Sequence, residues 1–195
     1  MKKVTPLFIA LCSVLFACND ASDNDAVDTA DSANEAKLDN AEDRGAAGAT
    51  TAVDEDAAEF FVKAADGGMA EVAAGKMAQE KATNPKVKEF GAMMVTDHTG
   101  ANSGLKDLAS RRNVTLPDTV SNDHKEAAAK LAKKSGKEFD KDYMDMQVKD
   151  HEKTIKLFED GSRDVKDAEL KAFIDQTLPK LRSHLDAAKA IQKSL

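Results

Sequence analysis

The stretch that decides the fold is residues 71–98, EVAAGKMAQEKATNPKVKEFGAMMVTDH, in which one helical pattern ends and another begins. On both sides of Asn84-Pro85, apolar residues recur at spacings of three and four, as they do along one face of an α-helix. Asn is a favoured helix N-cap and Pro is favoured in the first helical turn, so this pair indicates a tight turn between two helices. The stretch therefore predicts a helical hairpin.

The same period continues outward from this hairpin in both directions. It predicts helices over about residues 54–83, 85–112 and 122–159, and a fourth from about 164–167 to the C-terminus. A loop containing Pro117 and a stop at Asp160-Gly161-Ser162 separate the later helices. Since no stretch alternates with the period of two typical of a half-buried strand, the predicted fold class is all-α. The simplest architecture for residues 54–195 is an up-down-up-down four-helix bundle.

The N-terminal segment has the features of a targeting signal. Residues 1–18, MKKVTPLFIALCSVLFAC, place two lysines before an apolar run that is too short to cross a bilayer and fits a signal peptide. The last four residues resemble the bacterial lipobox, although Phe16 is bulkier than that box usually carries. We predict lipidation at Cys18, with ordinary cleavage near Ala17 as the alternative. The membrane would then be a partner through the lipid anchor, and the protein would be a periplasmic lipoprotein, most simply of the outer membrane.

Composition predicts the role of the next segment and excludes several classes of function. Residues 19–53 are rich in Asp, Ala, Ser and Asn and have few large apolar side chains, which predicts a disordered acidic tether. The formal net charge of −7 argues against nucleic-acid binding, which needs clustered basic residues. Both cysteines, Cys12 and Cys18, precede the tether, so the predicted domain has no disulfide. No Gly-x-Ser-x-Gly motif or cysteine nucleophile favours an enzyme, and a metal-dependent enzyme stays a weaker alternative.

Three histidines lie in the middle of apolar stripes. His98, His151 and His184 belong to three different predicted helices, and the first helix has Glu71 in a corresponding place. A buried carboxylate is costly unless it is paired or ligated. Counted from the turns, the four residues lie at heights that agree within roughly 5 Å. We therefore predict a site for one transition-metal ion (zinc, copper or iron) with these four residues as ligands. His124, among charged residues near a helix start, is predicted to be solvent-exposed.

Other interpretations of these residues stay open at this point. The histidines and Glu71 could form a hydrogen-bonded network without metal, in a structural or protein-interaction module of the envelope whose protein partner the sequence does not name. Some of the methionines could instead provide a soft Cu(I) site. Asp97 and Asp150 directly precede two of the histidines and point about 100° away from them on a helix, which predicts partners at the rim of the site and not ligands.

Four segments resemble the bacterial domain of unknown function 4142 family. They are residues 61–71 (FVKAADGGMAE), 84–90 (NPKVKEF), 94–98 (MVTDH) and 178–185 (LPKLRSHL). The resemblance covers about residues 54–194. It implies a fold similar to the ferritin-like four-helix bundle and a place in the cell envelope, and the family pattern includes positions matching Glu71, His98, His151 and His184.

One departure limits what the ferritin-like resemblance implies. Di-iron sites of that fold use Glu-x-x-His on two helices. Here Val95, Val148 and Leu181 stand three residues before the histidines. With so few inward carboxylates, neither ferroxidase activity nor iron storage is expected. The function predicted is metal buffering or sensing.

Overall fold

The computed structural model describes residues 25–43 and 53–195. Within these ranges the chain forms six α-helices and no strand, so the predicted all-α class is confirmed. The helices are α1 (Ala26–Asp43), α2 (Glu55–Lys81), α3 (Pro85–Arg111), α4 (Asn122–Ala132), α5 (Gly136–Asp164) and α6 (Ala168–Gln192). No helix in this part of the chain has the length and hydrophobicity needed to cross a bilayer. The predicted signal peptide and Cys18 lie outside the described residues.

The predicted turn between the first two long helices is confirmed, and a third helix holds it in place. Asn84 caps α3 by accepting a hydrogen bond from the backbone of Lys86. The buried carboxylate of Asp140 on α5 accepts hydrogen bonds of 2.9 Å from the backbone N–H groups of Thr83 and Asn84. This satisfies donors that a helix start leaves free. The hairpin of α2 and α3 is thereby connected to α5.

The four long helices contact one another in a closed ring. Helix α2 packs against α3 and α5, and α6 packs against the same two helices. The approach of α2 to α3 is very close at two glycines, since a Cβ atom on Gly75 would lie 2.7 Å from the carbonyl oxygen of Gly91. Glycine is required there because any side chain would force the two backbones apart.

The apolar core consists of two clusters on either side of the histidines. One contains Phe60 and Phe158, whose rings meet edge to face at 5.0 Å. The other contains Phe90 and Met94. On each of the three histidine-bearing helices, residues of one cluster precede the histidine and residues of the other follow it. The histidines are therefore a polar layer between two apolar layers.

The predicted disordered tether is wrong for residues 26–43, which form α1. Ala30 and Asn34 of this helix are buried. The Asn34 amide donates to the carbonyl oxygen of Thr115 at 2.9 Å and accepts from its backbone N–H at 2.7 Å. We expected disorder because the segment has few large apolar side chains. The helix packs instead through small residues and polar bonds to a distant loop, which composition does not show.

The predicted third helix, residues 122–159, is wrong in two respects. It is divided into α4 and α5, because Gly136 has a φ of +57°, the left-handed conformation that glycine adopts readily. It also continues through the predicted stop at residues 160–162 to Asp164. A Cβ atom on Gly161 would lie 2.7 Å from the Phe60 ring. Glycine at this position therefore permits close packing within a helix and does not end it.

Candidate metal centre

The structure brings three of the predicted ligands together. His98 on α3, His151 on α5 and His184 on α6 each offer a ring nitrogen, and these nitrogens lie within 4.8 Å of one another. Their ring centroids are 5.5–5.8 Å apart. All three side chains are buried. The predicted convergence of the three histidines is confirmed.

In two of the rings, one nitrogen makes a hydrogen bond that fixes the orientation of the ring. His151 Nδ1 donates to the carbonyl oxygen of Gln147 at 2.9 Å, and His184 Nε2 donates to Asp97 at 2.9 Å. In a neutral imidazole the other nitrogen then carries a lone pair. Histidine held by a carboxylate or a carbonyl is the usual arrangement around a protein-bound metal. Asp97 was predicted as a rim partner; it bonds the histidine of α6 and not its neighbour His98.

Each of the three rings also has a buried nitrogen without a hydrogen-bond partner among the described residues. These atoms are His98 Nε2, His151 Nε2 and His184 Nδ1. A buried polar atom left unpaired costs about 1–3 kcal/mol. In a purely structural network the histidines would bond one another or Glu71 through these atoms. The arrangement therefore favours a ligand over such a network.

The electrostatics keep the imidazoles in the form that binds metal. Burial lowers the pKa of His98 to about 3 and that of His151 to about 4. Burial also lowers the pKa of His184, although its hydrogen bond to Asp97 opposes the shift. All three rings are therefore neutral at pH 7, and a neutral imidazole is the state that donates a lone pair to a cation.

Glu71 of α2 lies beside this group but is not part of it. Its Oε1 atom is 3.5 Å from His151 Nδ1, the nitrogen already bonded to Gln147. Its Oε2 atom is buried and has no partner in the described part of the chain. Burial raises the pKa of this carboxyl to about 8. The structure thus places the predicted fourth ligand next to the three histidines, on the bonded side of one of them.

Sequence reasoning missed two polar residues of this region. Tyr143 and Gln147 are fully buried on α5, eight and four residues before His151 respectively. The Tyr143 hydroxyl and both amide atoms of Gln147 have no hydrogen-bond partner in the described structure. Burial and the nearby Glu71 raise the pKa of Tyr143. The spacing of four along α5 was a signal that could have placed both residues on the face of His151.

The fourth histidine does not join the group, and its predicted exposure is wrong. The His124 side chain is 31% exposed and its Nδ1 atom lies 3.0 Å from Asp66 on α2. This hydrogen bond raises the pKa of His124. Burial alone would raise the pKa of Asp66, but hydrogen bonds from His124 and Ser121 lower it on balance. The pair attaches the start of α4 to α2.

A small cavity adjoins the histidines. Its volume is about 30 Å³, and Glu71, Asp97, His98 and His184 are among the residues that line it. This is space for about one water-sized group. This cavity can therefore accommodate a single ion or a very small ligand.

Comparison with known proteins gives one match. A family model described as Domain of unknown function (DUF4142) matches residues 42–191, a range that includes all three histidines and Glu71. Neither the curated proteins nor the solved structures gave a significant match. Because the description of the family assigns no activity, the function has to be argued from the site.

Proposed function

The chain belongs to the DUF4142 family, and from that premise we propose that it binds one transition-metal ion through His98, His151 and His184. The observation that carries the proposal is the set of three buried imidazoles whose nitrogens converge within 4.8 Å while one nitrogen of each ring has no partner. A cation that accepts their lone pairs would offset the cost of burying them. Three imidazoles suit zinc, copper or iron better than calcium or magnesium.

Glu71 has a separate part in this proposal. A divalent ion bound by three neutral imidazoles carries its full charge into a buried site, which is unfavourable without a nearby anion. Glu71 contacts His151 and lines the cavity beside His98 and His184. We keep it as the candidate fourth ligand or the counter-charge, because a cation bound beside it would lower the pKa that burial raises to about 8 and so ionise the carboxyl. Asp97, bonded to His184, supplies a second negative charge.

The cellular role follows from the sequence features outside the described residues. We propose a periplasmic lipoprotein, held at the outer membrane by lipid on Cys18, whose long helices form a ferritin-like four-helix bundle. Such a protein would buffer or sense metal in the envelope. We assign it no reaction, because the small cavity lined by His98 and His184 has space for about one water-sized group.

The direct test is metal stoichiometry. The purified full chain is stripped with chelator, dialysed against Zn²⁺, Cu²⁺ or Fe²⁺, and analysed for bound metal. We expect one ion per chain for at least one metal. His98→Ala, His151→Ala and His184→Ala should each lose it, whereas His124→Ala should retain it. Absence of bound metal, or equal binding by the wild type and His98→Ala, would contradict the proposal.

A further inference from the structure

Lysines are concentrated at one end of a protein that is acidic as a whole. This end consists of the turn between α2 and α3, the connection between α4 and α5, and the end of α6. Asp140 on α5 holds the α2–α3 turn through two backbone N–H groups, and Gln192 on α6 donates a hydrogen bond of 2.7 Å to Asp145 on α5. Ten lysines and two acidic residues, one of them the buried Asp140, lie in residues 81–88, 130–141 and 189–195.

Five of these lysines are exposed and make no ion pair in the described part of the chain. They are Lys86, Lys88, Lys133, Lys137 and Lys193, and we call this set the lysine end. Several acidic residues nearby are already paired. Glu138 and Asp142 contact Lys134, and Asp145 contacts Lys141. The exposed acidic residues at the borders that make no ion pair within the described ranges are fewer, namely Glu80, Glu89 and Asp186. The lysine end therefore has a positive charge that the protein itself does not neutralise.

The opposite end of the molecule is acidic. Helix α1 contains six acidic residues and one lysine. Its Asn34 and Lys37 bond the loop that follows α3, so α1 lies toward the end at which α2 begins. Burial and the nearby charge of Glu59 on α2 raise the pKa of Asp31 on α1. The charges are thus separated along the bundle, and an anionic surface would attract one end and repel the other.

The packed helix α1 also limits the distance between the domain and the predicted lipid anchor. Asp25, just before α1, accepts a hydrogen bond of 2.7 Å from the backbone of Asn122. The neighbouring Ser121 donates at 2.7 Å to Asp66 on α2, which fixes this point part of the way along the bundle. From Asp66, α2 continues for 15 residues toward the lysine end, a length of about 22 Å. Seven residues separate Cys18 from Asp25 and span at most about 25 Å. The anchor can therefore reach the level of the lysine end.

We propose that the lysine end binds the anionic phospholipid headgroups of the membrane to which the lipid anchor attaches. The presence of the membrane rests on the proposed anchor, whereas the contact itself is made by the lysines. Lysines near an anionic membrane surface are attracted to it over a distance of about 8 Å at physiological ionic strength. The acidic helix α1 then lies away from the surface.

The test is sedimentation of the chain from Asn19 onward with lipid vesicles, in the presence of chelator. This chain keeps every described residue and carries neither lipid nor signal segment, so the result does not depend on the anchor or on the metal centre. We expect binding to vesicles of phosphatidylcholine and phosphatidylglycerol in equal parts, weakened by added salt, and no binding to phosphatidylcholine alone. Each lysine near an anionic surface contributes about fivefold in affinity, so Lys133→Gln with Lys137→Gln should weaken binding about 25-fold.

The matched control is Lys106→Gln with Lys153→Gln. Both lysines are exposed, make no ion pair among the described residues and lie away from the lysine end. This double variant changes the net charge by the same amount and should retain binding. No binding to the mixed vesicles, or an equal loss in the two double variants, would overturn the proposal. So would tighter binding to double-stranded DNA at the same salt concentration, because the lysine end would then serve a nucleic acid.

A second measurement uses the full chain in cell membranes. Labelling with an amine-reactive reagent, followed by mass spectrometry, should modify Lys133 and Lys137 less in membranes than in detergent, whereas Lys106 and Lys153 should be labelled equally in both. Equal labelling of all four lysines would overturn the proposed orientation. A chain that is absent from the membrane fraction would contradict the lipid anchor, and the vesicle experiment would still decide whether the lysine end binds phospholipid.

Discussion

The substitution His98→Ala separates a metal site from a structural cluster. His98 makes no side-chain hydrogen bond within the described residues and has a buried unpaired Nε2 atom. Truncating a buried side chain of this size costs about 2–5 kcal/mol in packing, and removing an unpaired polar atom returns about 1–3 kcal/mol. In the metal-free protein we therefore expect a modest net loss of about 1–2 kcal/mol.

The metal-dependent gain in stability should be larger than this loss in the wild type and small in His98→Ala. An ion at about a hundred times its dissociation constant stabilises a folded protein by about 2.7 kcal/mol. For a domain of this size each kcal/mol corresponds to about 2–4 °C in the thermal midpoint, so the wild type should gain about 5–11 °C. His98→Ala loses one of three imidazoles and should keep little of that gain.

The assay is thermal unfolding followed by circular dichroism, with chelator or with Zn²⁺, Cu²⁺ or Fe²⁺. His124→Ala is the control, because it removes a histidine that bonds Asp66 and lies outside the group of three. It should retain the full metal-dependent gain. The reasoning is refuted if the wild type shows no shift with any of these metals, or if His98→Ala shifts as much as the wild type. A His98→Ala loss that is equal with and without metal would support the structural alternative.

Four further predictions test other parts of the structure. Glu71→Gln should lower metal affinity at least tenfold in a calorimetric titration while the metal-free protein stays folded, because the amide has the size of the carboxylate but no charge; unchanged affinity would remove Glu71 from the site. Asn34→Ala should lower the free energy of unfolding in denaturant by about 1–3 kcal/mol, because it removes two hydrogen bonds to the half-buried backbone of Thr115; a change near zero would mean that α1 does not stabilise the domain. The pair of Asp66 and His124 should stabilise the fold most between pH 3.8 and pH 6.5, the ordinary pKa values of the two groups. The contribution of Asp66 is lost as pH falls below 3.8 through its lowered pKa, and that of His124 is lost as pH rises above 6.5 through its raised pKa. Asp66→Asn should reduce the slope of unfolding free energy against pH on both sides of this window, and an unaltered curve would argue against the pair. Cys18→Ser should release the protein from the membrane fraction of cells, and continued tight membrane association would argue against the lipid anchor.

The parts of the fold that depend on neighbouring residues were predictable from the sequence. The turn at Asn84-Pro85 and the starts of α2 and α3 follow from capping chemistry within a few residues. That His98, His151 and His184 face the core follows from the helical period alone. Residue counting then placed them at similar heights, since the rise per residue of a helix is constant.

The predictions from the sequence were wrong where a contact between residues far apart in the chain outweighed a local sequence signal. The residues Asp160-Gly161-Ser162 are of types that often end a helix. Because Gly161 lacks a side chain, however, the helix can pack there against Phe60, about a hundred residues earlier in the chain. Residues 26–43 lack the apolar content of a packed helix, yet Asn34 finds its partners in Thr115. In both cases the partner that decided the outcome is far away in sequence, and no local pattern identifies it.

The sequence by itself determined where α2 and α3 begin and end and which faces of the three histidine-bearing helices are buried, because periodicity and capping are local properties of the chain. Only the tertiary structure decided that three imidazoles converge while Glu71 stands on the bonded side of His151. A helix face is about 100° wide, whereas coordination depends on differences of 1 Å between atoms on separate helices. Those differences are set by how the helices pack, at contacts such as Gly75 with Gly91, and packing is a property of the whole chain.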